Sequence, residues 1–319
     1  MNHAILQAAT KPARTPSICV VGAALIDLIA YVPRLPTLGE TLHGTDFRSG
    51  FGGKGANQAV MAARLGAHVS LVSRVGRDSF GDEMIANLVA QRVDTSYVSI
   101  DDEAPSGVAP IAVDPRGENS IIIVTGANDR LTADEVERAR PAIAGADVLA
   151  CQLELSHEAT LAALRIAREE STTTILNPAP AAAALPPEIY ALTDVLCPNE
   201  PEAELLLGHA VSDAAEAART LRERGCGAVV LTLGKRGCLV STTAEERLIP
   251  SPQADAIDTT GAGDAFVGSL AVRLALGDSL ADAATYANRA AALSVTRRGT
   301  QSSFPSANEV AAGVTPPVA

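Results

Sequence analysis

Short, mostly apolar strand-like runs recur along the chain at residues 18–21, 69–72, 148–151, 173–176, 195–197 and 229–232. Apolar runs of about four to eight residues without alternation are the pattern of strands buried on both faces, as in a parallel sheet. Between most of them lie helix-patterned segments rich in Ala, Leu, Glu and Arg, among them 132–143, 156–169 and 212–224. This β-α-β-α order predicts an α/β fold, a doubly wound and mainly parallel sheet flanked by helices, with ligands in loops beyond the carboxyl ends of the strands. The C-terminal part reads as two helices, 264–276 ending at Gly277-Asp278, and 280 to about 297.

Two stretches break the alternation. Residues 31–49 carry prolines and glycines, and within 93–124 the strand-like runs 107–113 and 120–124 have no helix between them. A small antiparallel β lid formed from about 31–49 and 93–124 is the expectation, projecting from one main domain over 17–319. Residues 1–16 hold no long apolar stretch and are expected to be a disordered tail.

Composition narrows the function. The chain has 319 residues and is 47% hydrophobic, enough for a substantial core. Its formal charge of −12 opposes a broad affinity for nucleic acid or anionic membrane, so an anionic ligand must be held locally by backbone amides or a few cations. Cys19, Cys151, Cys197, Cys226 and Cys238 form no C-x-x-C pair, which fits buried free thiols in a reducing compartment. Asp27 interrupts the longest apolar run, 18–30, so no membrane span is expected, and with no secretory signal the predicted location is cytoplasmic.

Asp258-Thr-Thr-Gly-Ala-Gly-Asp264 stands immediately before an amphipathic helix. Small residues at Gly261, Ala262 and Gly263 allow successive amides to converge on one spot where the helix dipole adds positive character, an anion hole. Asp264 would repel a merely bound phosphate, but it fits a base that aligns an attacking hydroxyl. A plain glycine-rich turn with an aspartate favouring the helix start is the other reading of the same heptapeptide. A second segment, Gly50-Phe-Gly-Gly-Lys-Gly-Ala-Asn57, contains G-x-G-x-x-G but follows a polar, irregular stretch instead of a hydrophobic strand, which opposes a dinucleotide fingerprint. Lys54 precedes Gly, so it is no P-loop either. A glycine-rich floor beneath a polyhydroxy ligand, with Lys54 and Asn57 as donors, fits better.

Together with Asn177-Pro-Ala-Pro180, Pro198-Asn-Glu-Pro-Glu202 and Thr232-Leu-Gly-Lys-Arg-Gly237, these two motifs resemble, in order, the signatures of the ribokinase or PfkB carbohydrate kinases, over about 18–305. The resemblance implies a ribokinase-like domain and an ATP-dependent sugar kinase. It assigns Asp264 as catalytic base with the Gly261–Gly263 amides stabilising the transferring phosphoryl group. Leu25, Asp27, Gly53, Lys54, Asn57 and Glu154 fall at the family's sugar-binding positions, Asp27 read as following the first strand and Glu154 as following 148–151. Without the resemblance, Asp27 is equally a loop acid and Lys54 a solvated one.

Asn199 and Glu202 match the family's N-x-x-E segment, which organises magnesium and phosphate, plausibly through water; alone they read as an acidic helix start. Nucleotide contacts are implied for Thr232, Leu233, Gly234, Lys235, Arg236, Gly237, Gly263 and Asn288. Asp258, Thr260, Ser294, Arg297, Gly299 and Ser303 match the monovalent-cation site, which implies potassium. A homodimer through the lid is implied as well. Leu25 departs from ribokinase, which has a sugar-binding asparagine there, and resembles the deoxyribokinase branch; Gly107-Val-Ala-Pro110 and Gly299-Thr-Gln-Ser-Ser-Phe-Pro305 also lean that way. Three functions follow, in order of expectation. The first is a pentose 5-kinase, with 2-deoxyribose ahead of ribose; next come a ketohexose or nucleoside kinase of the same family and a nonenzymatic sugar sensor, which would have no need of Asp264.

Overall fold

Residues 14–116, 118–181 and 184–313 are described in the computed structural model. Its strands are β1 (Ser17–Val21), β2 (Leu25–Tyr31), β3 (Asp46–Gly52), β4 (His68–Gly76), β5 (Val93–Asp101), β6 (Gly107–Val113) and β7 (Asn119–Ile121), followed by β8 (Val148–Cys151), β9 (Thr173–Leu176), β10 (Val195–Leu196), β11 (Ala228–Thr232), β12 (Cys238–Ser241) and β13 (Glu246–Ile249). Nine of them form one sheet in the order β13-β12-β11-β10-β9-β8-β1-β4-β5. Pairing is parallel from β5 to β11, and β12 and β13 close the edge antiparallel.

Alternate residues of β1 enter two separate cores, as the two-residue period of a strand requires. Ile18 and Val20 pack with Met61, Phe266 and Leu270, from the helices Lys54–Arg64 and Ala262–Ala275. Cys19 and Val21 pack with Leu149 and Leu164, the latter from the helix His157–Glu170. Each such Leu, Ile or Phe, fully buried, contributes roughly 1.5–3 kcal/mol. Where the helices Lys54–Arg64 and Ala262–Ala275 cross, a Cβ on Gly268 would lie 2.7 Å from the Gln58 carbonyl oxygen and 2.9 Å from Met61 Cβ. That glycine therefore lets the two helices approach, one turn beyond Asp264.

The small sheet runs β3-β2-β6-β7. It is antiparallel at β2–β3 and β6–β7, while β2 and β6 run parallel. The expected lid needs two corrections. Residues 93–101 belong to the main sheet, where β5 pairs with β4 as an edge strand; its exposed outer positions give it the mixed polarity of a lid strand. The apolar run 18–30 is two strands, not one, broken at Gly22-Ala-Ala24, so Asp27 lies within β2 and not in a loop after the first strand. The helix expected over 132–143 is two short ones, Ala133–Arg138 and Arg140–Ala144, because Pro141 has no N–H for the carbonyl one turn back. The last long helix ends at Ser294. Of the tail expected over 1–16, residues 1–13 lie outside the described residues.

Candidate active site

β1 is flanked by β4 on one side and β8 on the other, the point where the connections change direction and ligands of such sheets bind. Glu154 follows β8, Asn177 follows β9, Asn199 follows β10, and Thr232 ends β11, all at carboxyl ends. The small sheet joins the body here. Gly53 has φ +83°, and a Cβ on it would lie 2.6 Å from the Ala23 carbonyl oxygen, so the glycine-rich segment turns hard against the chain leaving β1. The helix Lys54–Arg64 then starts, and its first N–H, from Lys54, donates to Glu154 Oε2 at 2.7 Å. An acid at a helix N-terminus is favoured by the dipole.

Asp264 is buried in the first turn of the helix Ala262–Ala275. Asn57 Nδ2 donates to its Oδ2 at 2.9 Å, and Gln58 Nε2 to its Oδ1 at 3.1 Å. Gly261, with φ +76°, caps that helix, and a Cβ on it would strike Thr300 Cγ2 at 2.6 Å. A Cβ on Gly263 would meet nothing within 4 Å, which leaves the backbone open there. Among the described residues the amides of Gly261, Gly263 and Asp264 have no recorded acceptor, whereas the Ala262 N–H donates to the Thr259 carbonyl at 3.2 Å.

Asp27 faces the same region from β2. Thr300 Oγ1 donates to its Oδ2 at 3.4 Å, and a Cβ on Gly52 would lie 2.2 Å from its Oδ1, so the facing strand must be glycine there. Leu25 lies two residues before Asp27, hence on the same face of β2, and is buried against Gly107. Burial pushes the Glu154 carboxyl up to about 7, against the opposing pull of Lys54, with Asp264 and Asp27 adding to the rise. Asp27 is raised to about 6, by burial and, to a smaller degree, by Asp264, against the Thr300 hydrogen bond. Burial alone would lower Lys54, but Asp264, Glu154 and Glu202 outweigh it and hold the ammonium above its ordinary value. The group is therefore an acid-rich polar pocket organised around one cation.

Beside it opens a cleft of about 670 Å³. Of the residues expected to contact nucleotide, Asn199, Thr232, Gly234, Lys235, Gly237, Gly263 and Asn288 line it. Leu233 is buried, Arg236 ion-pairs with Glu200, and Glu202 sits behind Asn199; none of the three lines the cleft. Asn199 and Glu202 form a reciprocal cap: Asn199 Oδ1 accepts from the Glu202 N–H at 2.8 Å and Glu202 Oε2 from the Asn199 N–H at 2.9 Å. The opposite wall, Ser251 to Ala256, has no glycine-rich or charged motif and was silent in the sequence.

Of the six residues of the expected cation site, Asp258 and Thr260 lie on one loop, Arg297 and Gly299 on another, Ser294 ends the helix Leu280–Ser294 and Ser303 ends a short 3-10 turn. Asp258 joins the two loops, Oδ1 accepting from the Thr260 N–H and Oδ2 from the Gly299 N–H, both at 2.9 Å. The Ser294 and Ser303 hydroxyls bond their own backbone, to the Ala291 and Thr300 carbonyls, and Arg297 pairs with Glu309. Among the described residues no group of three or more His, Cys, Asp or Glu side chains could hold a metal ion.

The pfkB family carbohydrate kinase model matches residues 15–307. The chain belongs to that family. It is 48% identical over 296 residues to mouse ribokinase, covering 91% of this chain and 92% of that one. It is 39% identical over 292 residues to the deoxyribokinase of Salmonella typhi, covering 91% and 95%. The solved structure of Arabidopsis thaliana ribokinase complexed with ribose and ATP superposes with a TM-score of 0.85 at 29% identity, covering 94% and 98%. This family member is an ATP-dependent pentose kinase. Residues of the pocket that sequence reasoning passed over are Gln58, Gln152, Thr300 and Gln301, each a buried polar side chain. Gln58 alone had a signal: it directly follows the glycine-rich motif and is a polar residue amid the apolar face of its helix.

Proposed function

We propose that this pentose kinase transfers the γ-phosphoryl group of ATP to the 5-hydroxyl of a free pentose, with 2-deoxy-D-ribose preferred over D-ribose. Asp264 accepts the hydroxyl proton as the oxygen bonds to the γ-phosphorus and the bond to the β-phosphate oxygen breaks. The single observation carrying this reading is a buried carboxylate, held by two amides, beside the N–H groups of Gly261 and Gly263, unpaired among the described residues, with Gly263 lining the cleft. Asp27, Lys54, Asn57 and Glu154 hold the sugar over the backbone of Gly53; the second N–H of Asn57 is free to serve it. Leu25 offers no hydrogen bond where it flanks Asp27, which favours the sugar lacking a hydroxyl.

The nucleotide fits the cleft, and the ring of small residues at Gly234, Gly237 and Gly263 allows close approach of its backbone. Asn199 and Glu202 would hold magnesium, through water because the ion sheds its hydration reluctantly, and bound there it would neutralise phosphate charge. The Asp258 loops offer a carboxylate and carbonyl oxygens, the hard donors a potassium ion takes, adjacent to the anion hole. The face of the small sheet turned away from Asp27 exposes Phe47 and Ile122, which supports a homodimer through that face, with sedimentation velocity as its check. A cytoplasmic location accords with five buried free cysteines.

An ADP-release assay over ribose, 2-deoxyribose, fructose and adenosine tests the substrate. The expected order is 2-deoxyribose, then ribose, with little turnover of the others; fructose or adenosine leading would replace the pentose by another member of the family's substrate range. Repeating it in potassium, sodium and a bulky organic cation at matched ionic strength should show higher kcat/KM in potassium. Equal kinetics would remove the cation site.

A further inference from the structure

Behind Asp264, and away from the cleft, lies a set of buried amides with no role in the reaction as described so far. Gln58 is 1% exposed and cannot touch substrate. One of its Nε2 hydrogens goes to Asp264 Oδ1 at 3.1 Å and the other to Asn177 Oδ1 at 3.2 Å. Its Oε1 accepts from Gln152 Nε2 at 2.6 Å. Asn177 is fixed in turn, because its Nδ2 donates to the Cys197 carbonyl at 3.0 Å. Turning the Gln58 amide over would set its oxygen against the Asp264 carboxylate and the Asn177 oxygen, three acceptors together, so only one orientation is available.

Gln152 shows that the arrangement is specified and not incidental. Its Oε1 is buried without a hydrogen-bond partner, a condition a hydrophobic side chain of similar size would avoid. Its N–H is nevertheless aimed at Gln58, and Gly22 makes the room: a Cβ there would lie 2.0 Å from Gln152 Oε1. On the other side Asn57, itself held by Gln301 at 3.1 Å, secures Asp264 Oδ2. Neutral donors on both oxygens fix the direction of the carboxylate while leaving its negative charge, which is what a base needs.

We propose that Gln58 is a positioning residue that holds the Asp264 carboxylate in the orientation from which it takes the proton, and that Gln152 acts through Gln58. This rests on Asp264 being the base. Gln58→Met keeps the length of the side chain and removes both donors. It lowers kcat by about ten- to a hundredfold, the worth of a hydrogen bond to a charged group, and leaves the KM for ATP unchanged. In an Asp264→Asn background the same substitution changes kcat by no more than about twofold, because two residues acting as a unit are not additive.

Wild-type kcat in Gln58→Met overturns the proposal, and so does an equal loss in the Asp264→Asn background, which would place the effect elsewhere. Asp264→Asn turning over near the wild-type rate overturns both this proposal and the reading of Asp264 as base; a slow Asp264→Asn with an unaffected Gln58→Met overturns this proposal alone. If Gln58→Met fails to give a cooperative thermal melt, Gln152→Met substitutes for it: it leaves the Asp264 contacts in place and should lower kcat by roughly three- to tenfold with the KM for ATP unchanged. An unchanged kcat in a folded Gln152→Met then overturns the proposal.

Discussion

The two sheets differ in how they are buried, and the active site lies where that difference is greatest. β8 is buried along its whole length, covered by helices on both faces, whereas β7 is exposed along its whole length. β2 carries the transition within seven residues: Leu25, Ile26 and Asp27 are buried and Leu28 to Tyr31 only partly so. β3 runs the other way, exposed at Asp46 and buried at Gly52. The small sheet is thus anchored at one end by the main body and presents the other to whatever covers it. In the proposed mechanism the chemistry that needs fixed geometry, Asp264 and its amides, belongs to the main body, while sugar recognition is shared with the small sheet.

This contrast predicts separable effects, largest in the body. Asp264→Asn should lower kcat by at least about 10²-fold, the scale of a positioned general base, with nucleotide affinity by calorimetry unchanged; a variant near the wild-type rate would move the chemistry out of the body. Gly52→Val acts at the junction. Its Cβ would fall 2.2 Å from Asp27 Oδ1, so the carboxylate must move. The KM for the pentose should rise by about tenfold or more, since displacements near 1 Å are enough for such losses, while the KM for ATP holds. Equal rises in both would mean that the two regions are one mechanical unit.

Glu154 sharpens the comparison through pH. Its carboxyl stands at about 7 in the folded protein, above the ordinary 4.5, so between those values the folded state binds more protons than the unfolded one. The contribution of this group to stability is therefore complete below about 4.5 and is lost as pH rises through 7; Asp27, raised from 3.8 to about 6, has the same sign. Glu154→Gln should accordingly raise the thermal midpoint at pH 8 by a few degrees, corresponding to roughly 2 kcal/mol, while abolishing tight sugar binding. In the wild type, kcat/KM for the pentose should fall as pH drops from 8 to 6, carried by KM. A Glu154→Gln protein less stable than wild type at pH 8 would show that its bond to the Lys54 amide outweighs its burial.

Leu25→Asn is the smallest of these changes. Supplying an amide beside Asp27 should shift the ratio of kcat/KM values toward ribose by up to about tenfold, without altering stability at the outer end of the small sheet. An unchanged ratio would mean that Leu25 only packs over Gly107 and that selectivity is set elsewhere in the pocket.

Much of the molecule was determined by the order of residues alone. Most of the main strands were legible because they are short and mostly apolar, and the turns at Gly261 and Gly53 because their positive φ angles need glycine. The cleft wall at 251–256 and the buried amides were not legible. Their residues come from distant parts of the chain, as when Gln58 meets Asp264 across 206 positions and Gln301 meets Asn57 across 244. Gln58 had a local signal in its place on an apolar helix face, but nothing local marks Gln152 or Gln301 as glutamines that will be buried. The same holds for β5, whose alternating polarity suits either sheet, and for Asp27, whose place within β2 depends on the break at Gly22. Local periodicity and backbone sterics are properties of neighbours in sequence and can be read there. Burial, hydrogen-bond partnership and the resulting displacement of a carboxyl's pKa are properties of neighbours in space, and only packing the sheets and helices together decides them.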